Sequence, residues 1–317
     1  METTTILGKS SLCVPRLGLG VMTWGDAKGL ARFHPAKITY GGPQGYEEEK
    51  QAFEASLSVG VNFFDTAAMY SGGASERRLG ELARGKDVII ASKFPGTLFF
   101  RTENFPKELE ASLARLGRGS IDLYQHHFPT NSISIPELMN LLADAVETGK
   151  VKAVGVSNYS AEQMRVAHAA LAKRGIPLAS NQVEYSLLQR QPETNGVLDA
   201  CRELEITLIA YQPLASGTLT GKYTRGVKPA GFLRRFMPNF RKKSLSAIEP
   251  VINLLREIGT HYDKSPAQVA IRWLIENPLV LPIPGAKNAG QAAANADALN
   301  FHLTPDEIEA LNQVTLT

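Results

Sequence analysis

Eight short apolar runs, nearly all separated by segments with helical spacing, constrain this chain more than any other feature. The runs cover residues 17–25, 62–65, 88–92, 121–125, 153–156, 178–183, 206–211 and 279–283. Helical patterns lie between them at 46–57, 75–83, 106–116, 134–147, 161–173 and 195–204. Such alternation implies parallel strands joined by helical crossovers. Eight strands is the count of a closed (β/α)8 TIM barrel. The competing arrangement is an open doubly wound sheet. Its phosphate-binding turn would need G-x-G-x-x-G opening a helix after the first strand, whereas Leu17-Gly18-Leu19-Gly20 runs into a long loop, residues 26–45. Residues 1–16 read as a hairpin ahead of the barrel, and residues 212–246 break the rhythm with glycines, prolines and a basic run. Further helices are expected at 247–260, 265–277, 290–299 and 305–314. Ser75 and Ser265 are the expected caps of their helices, the second with Pro266 at its first position. No linker suggests a second domain, so one barrel domain over residues 1–317 is expected.

Bulk composition narrows the function classes. A net charge of +3 over 317 residues is too balanced to call for a nucleic acid. With 44% hydrophobic and 21% charged residues the chain can bury a large core. Two cysteines, Cys13 and Cys201, fit neither a metal spacing nor a disulfide framework. No run is long enough to span a membrane and the first residues lack signal-peptide character, so a cytoplasmic protein is expected.

In a barrel of this kind the chemistry sits at the C-terminal ends of the strands. The second run ends at Asp65, the third at Lys93 and the fourth at His126-His127, with Tyr70 on the loop after Asp65. Each alone has an ordinary reading: a turn-capping acid, a solvated lysine, hydrogen-bonded histidines, a packed tyrosine. Together they bring an acid, a base, an imidazole and a phenol to one rim. A lysine beside a tyrosine hydroxyl favours the phenolate and lowers the phenol's pKa. A tyrosine tuned in this way can donate a proton to a carbonyl oxygen. Neighbours on a strand point to opposite faces, so only one of the two histidines can reach the site.

Seven segments, in order, resemble the aldo-keto reductase family. They are FDTAAMY at 64–70, ASKF at 91–94, DLYQHHFP at 122–129, GVSNYS at 155–160, NQVEYS at 181–186, LTGKY at 219–223 and IPGAK at 283–287. The last two, with the long region after the seventh strand, resemble the branch that contains potassium-channel β subunits and bacterial or plant reductases. The resemblance implies NADP(H)-dependent reduction of an aldehyde or ketone to an alcohol. Tyr70 would be the proton donor, Lys93 paired with Asp65 would tune it, and His127 would orient the carbonyl, leaving His126 structural. Phe128 stands where many relatives have tryptophan. Val21 and Met22 would border the nicotinamide, and Ser157, Asn158 and Gln182 would hold its carboxamide. Tyr211 would stack on the ring. Gln212, Pro213, Leu214, Ala215 and Ser216, with Lys222, would follow the pyrophosphate. Gly285, Lys287, Gln291 and Asn295 would hold the adenosine end, Lys287 favouring NADP over NAD. The family often has an acid where Ala294 stands. Arg234 or Arg235 either clamps the cofactor or is solvated surface.

Catalytic carbonyl reduction is the first functional reading, with a small-molecule carbonyl as partner and the oligomeric state open. The alternative is an NADPH-binding regulatory subunit that turns over slowly and acts through a protein. Hydrolase or lyase chemistry would want paired carboxylates or metal ligands at the rim, where Asp65 is the one clear acid. Specificity is expected in loops 26–45, 95–105, 130–135 and 212–246. Trp24, Phe99, Phe100 and Phe128, beside Tyr70 and His127, are the candidate pocket wall for an aliphatic or aromatic carbonyl.

Overall fold

The computed structural model describes residues 3–26, 45–95, 101–130, 132–223, 227 and 240–316. A hairpin opens the chain, with β1 (Thr4–Ile6) antiparallel to β2 (Cys13–Pro15). The barrel strands are β3 (Leu19–Gly20), β4 (Phe63–Asp65), β5 (Ile89–Phe94), β6 (Ile121–His126), β7 (Val151–Ser157), β8 (Leu178–Glu184), β9 (Thr207–Tyr211) and β10 (Val280–Pro282). All are parallel, in the order of the sequence. The described helices are α1 (Tyr46–Ser58), α2 (Ala74–Leu82), α3 (Phe105–Leu116), α4 (Ile135–Glu147), α5 (Ala161–Ala172), α6 (Gln191–Thr194), α7 (Val197–Leu204), α8 (Lys242–Ala247), α9 (Glu249–Tyr262), α10 (Pro266–Glu276), α11 (Ala289–Ala296) and α12 (Pro305–Leu316). This is the expected (β/α)8 barrel, with its hairpin in front and its extra helices after the seventh barrel strand and at the C-terminus.

The first and last strands close the ring. Gly18 N donates to Pro282 O at 3.0 Å, Gly20 N to Pro284 O at 3.1 Å, and Gly20 bridges Gly285. Glycine is required at this seam: a Cβ on Gly18 would lie 2.5 Å from the Phe63 ring and 2.9 Å from the Ile283 side chain. The first strand is much shorter than the expected 17–25, because the chain turns after Val21, whose carbonyl accepts from Trp24 N at 3.0 Å.

The alternation along each strand sorts the core into two layers. Phe64, Ile90 and Tyr124 face the helices, Phe64 stacking on Phe53 of α1 at 4.7 Å. Phe63, Ala91, Leu123, Ile209 and Leu281 face inward and pack with Leu7, Leu12 and Val14, so the hairpin plugs the bottom of the barrel. Ser265 caps α10 as the sequence suggests, and the structure adds Gln268 to it as a capping box. Ser75 is different: α2 starts at Ala74 from a left-handed Gly73, and Ser75 lies inside the first turn. Its hydroxyl donates to Val21 O at 2.7 Å and pairs with the Thr66 hydroxyl at 2.8 Å, tying α2 to the first two barrel strands instead of capping the helix.

Candidate active site

The parity that sends Phe63, Ala91 and Leu123 into the barrel also sends in Asp65, Lys93, Gln125 and His127, two or four residues further on. The bottom of the barrel is therefore apolar and the top is polar. Lys93 is fully buried, and its Nζ lies 2.5 Å from Asp65 Oδ1 and 2.8 Å from Thr66 O. The other Asp65 oxygen accepts from Gln182 Nε2 at 2.8 Å and Gln125 Nε2 at 3.4 Å. A buried ion pair survives desolvation only when its remaining lone pairs and protons are satisfied in this way.

Tyr70 stands over this pair. Lys93 Nζ is 5.1 Å from the centre of its ring, and the His127 ring meets it edge-on at 5.6 Å. Protein surrounds most of the phenol, although some of its surface stays open to solvent. Burial raises its pKa, Lys93 opposes the rise through space and through a hydrogen bond, and Asp65 adds to it. The net direction is upward, because desolvation outweighs the lysine. Tyr70 is thus a firmly protonated phenol, where the sequence suggests a lowered pKa. Burial also opposes the charge on Lys93, but Asp65 and Tyr70 more than offset it and the ammonium is held charged. His127 is pushed down to about 2 by burial, by Lys93 and by His126, so it is a neutral imidazole. Its Nδ1 has no partner among the described residues.

His126 points the other way. Its Nδ1 lies 2.8 Å from Tyr159 OH and its ring packs on Phe94, out among the helices. Burial lowers its pKa to about 4. Phe128 stacks on His127 at 4.3 Å with 44% of its surface exposed, at the mouth of the site. Trp24 is not in that wall. It is fully buried in the main core and its indole N–H donates to Ala286 O at 2.9 Å. Phe99, Phe100, Arg234 and Arg235 lie outside the described residues, as does most of loop 26–45.

Ser157, Asn158, Gln182 and Tyr211, expected around a nicotinamide, form one chain of contacts. Ser157 Oγ donates to Gln182 O at 2.9 Å. Asn158, in the left-handed region at φ 61°, donates to His127 O at 3.1 Å and to Ser157 Oγ at 3.0 Å, and accepts from Tyr211 OH at 2.9 Å. Asn158 is thus a bracket between the imidazole strand and Tyr211, and it holds the Tyr211 ring as a fixed platform. Val21 is buried and Met22 is partly exposed beside it. After Tyr211 the chain makes a strained turn: Gln212, Ala215 and Ser216 have φ 51°, 47° and 58°. Left-handed non-glycine residues cost about 1–3 kcal/mol each and gather at ligand sites. Ser216 Oγ donates to Gln212 Oε1 at 3.0 Å, Pro213 is buried, Leu214 is half-buried and Lys222 is exposed beyond them. At the other side Gly285 is exposed, Lys287 is half-buried and its N–H donates to Gln291 Oε1 at 3.0 Å. Asn295 is buried and donates to Gly285 O at 3.2 Å, so it shapes the Gly285 turn from behind.

The structure adds residues that sequence reading missed. Gln125 is a second amide on Asp65, and the alternation that marks His127 also marks it. Arg78 pairs with buried Glu49 and with Asp26 at 2.6 Å, and Glu49 accepts from Gly25 N at 3.0 Å. These contacts pin Asp26 and α1, which flank residues 27–44. They join residues far apart in the chain, and no local spacing announces them.

The aldo/keto reductase family profile matches residues 16–315. The chain is 36% identical to the chloroplastic pyridoxal reductase of Arabidopsis thaliana over 317 residues, covering 93% of this chain and 82% of that protein. It is 32% identical to an NADP(+) aldo-keto reductase of Schizosaccharomyces pombe over 318 residues, covering 95% of this chain and 88% of that one. Among solved structures, a glycerol dehydrogenase from Gluconobacter oxydans superposes with a TM-score of 0.82 at 27% identity, covering 99% of this chain and 95% of that one. Profile, relatives and barrel agree, and the chain belongs to the aldo/keto reductase family of oxidoreductases.

Proposed function

We propose that the chain reduces an aldehyde or ketone to an alcohol with NADP(H), and that Tyr70 is the proton donor. The observation that carries this reading is the buried Lys93–Asp65 pair under a protonated Tyr70, with neutral His127 edge-on to the same phenol. The residues around Tyr211 suit a dinucleotide. The pinned ring offers a platform for a flat heterocycle, the strained turn at Gln212 to Ser216 offers backbone to phosphate, and Lys287 offers a cation to a 2′-phosphate. When bound, the reduced nicotinamide supplies the hydride.

The chain's own groups do the rest. Burial keeps the Tyr70 proton in place until a carbonyl oxygen becomes basic enough to take it. The phenolate then left behind is next to the Lys93 ammonium, which Asp65 holds in position. The charge therefore moves between groups that are already aligned, and little reorganisation is needed. Neutral His127 offers one N–H and one lone pair, enough to orient the carbonyl oxygen without competing as an acid. Phe128 and the exposed Met69 present apolar surface at the mouth, which favours an aliphatic or aromatic carbonyl.

The NADP(+) relative supports the choice of NADP(H), and the relative named a pyridoxal reductase supports an aromatic aldehyde as one candidate substrate. The test is a panel of aliphatic and aromatic carbonyls assayed with NADPH and with NADH. Turnover of an apolar carbonyl with NADPH, at least tenfold better than with NADH, a difference of ~1.4 kcal/mol, is the expected result. Absence of carbonyl-dependent NADPH oxidation across the panel contradicts the proposal.

A further inference from the structure

Behind the rim lies a buried carboxylate that the proposed reaction leaves unused. Glu76, in the first turn of α2, is fully buried. One of its oxygens accepts from the Ser92 hydroxyl at 2.6 Å and the other from Arg115 Nε at 2.5 Å. Arg115 continues to Ser112 Oγ at 3.1 Å on its own helix, α3.

One contact of Glu76 is beside a residue of the site, and the other lies against the turn that follows Tyr70. Ser92 is the chain neighbour of Lys93 and points to the opposite face of β5, so a grip on Ser92 fixes the backbone from which Lys93 projects. Arg115 lies against the turn that carries Tyr70: a Cβ on Gly73 would fall 2.5 Å from Arg115 Cδ. That turn needs holding. Ser71, Gly72 and Gly73 follow Tyr70 at φ 52°, 63° and 80°, three left-handed residues in succession. Arg77 adds one bond, from its guanidinium to Gly72 O at 3.2 Å.

We propose that Glu76 is a positioning residue for the Tyr70–Lys93 pair, holding the lysine strand through Ser92 and the tyrosine turn through Arg115. This rests on the reaction proposed above. A small misplacement of reacting groups is enough to cost about 100-fold in rate, so loosening either grip acts on turnover before it acts on binding.

The test compares the full-length chain with Glu76→Gln, Ser92→Ala and Tyr70→Phe. NADPH affinity is measured by fluorescence, active protein is counted by cofactor titration, and kcat, KM and the pH dependence of kcat are measured with one aromatic aldehyde. Glu76→Gln keeps the size and an acceptor for Ser92 but removes the charge facing Arg115. It is expected to lower kcat about 10- to 100-fold, with KM and NADPH affinity within about threefold of the parent. The limb of the kcat profile set by Tyr70 moves with it, because the phenol and ammonium no longer keep their spacing. Ser92→Ala leaves the ion pair intact and is expected to show the same pattern at about three- to tenfold, which keeps the test open if Glu76→Gln does not fold. Unchanged kcat and pH profile per active molecule in the folded variants, with Tyr70→Phe inactive, overturn the positioning role and leave the reaction standing. Full activity in Tyr70→Phe overturns both.

Discussion

His126 and His127 are chain neighbours with different surroundings, yet both are held neutral. His127 titrates at about 2 and His126 at about 4, against about 6.5 for an unfolded histidine. Below pH 6.5 the unfolded chain binds protons at these positions that the folded chain refuses, so stability falls as the pH drops. The window runs from 6.5 to about 4 for His126 and to about 2 for His127. Each contributes a loss of about 2 kcal/mol at pH 5 relative to neutral pH. Urea denaturation at pH 7 and pH 5 measures the sum, and His126→Gln should remove about half of the slope. At this scale much was legible. Strand parity admits only one of the two histidines to the site, the family motif selects His127, and the strand ends bring Asp65 and Lys93 to one rim. The partners were not legible: Gln182 is 117 residues from the Asp65 it hydrogen-bonds, and Tyr211 is 53 from Asn158. The sign of the Tyr70 shift also lay beyond reach, since it depends on how completely the fold desolvates the phenol.

Among the elements, the seam and the tyrosine turn are most exposed to single changes. Gly18→Ala pushes a methyl into Phe63 and Ile283, the contact that lets the first strand meet the last. Overpacking of this kind costs about 1–3 kcal/mol, read as a lower denaturation midpoint at an unchanged slope. Ser71→Gly acts in the other direction. It relieves a left-handed serine whose buried hydroxyl has no partner among the described residues, and it should stabilise the protein by about 1 kcal/mol. Element types and order follow from hydrophobic period. Element ends follow less well, because caps and pairings chosen in space decide them. Ser265 caps its helix because Gln268 sits three residues on, within reach. Ser75 satisfies the same spacing logic only loosely, and Val21 and Thr66 claim its hydroxyl.

For the whole molecule, the barrel separates stability from chemistry along its axis. The hairpin and the inward apolar layer close the bottom, and the polar rim with its strained turns stands at the top. No helix among the described residues is long and apolar enough to cross a membrane. A ligand that binds only the folded barrel raises its stability by mass action. NADPH at one hundred times its dissociation constant should therefore add about 2.7 kcal/mol, visible as a rise in the thermal midpoint. NADH at equal concentration should add less, and Lys287→Ala should narrow the gap between the two. In the proposed mechanism Tyr70, above the Lys93–Asp65 pair, delivers the proton. The most direct measurement is kcat for an aromatic aldehyde in Tyr70→Phe, taken at saturating NADPH with cofactor affinity measured in the same preparation. With Tyr70 as the proton donor, kcat is expected to fall about 100- to 10,000-fold, the range for loss of a general acid, with NADPH affinity unchanged. Near-parental kcat in that variant would contradict it.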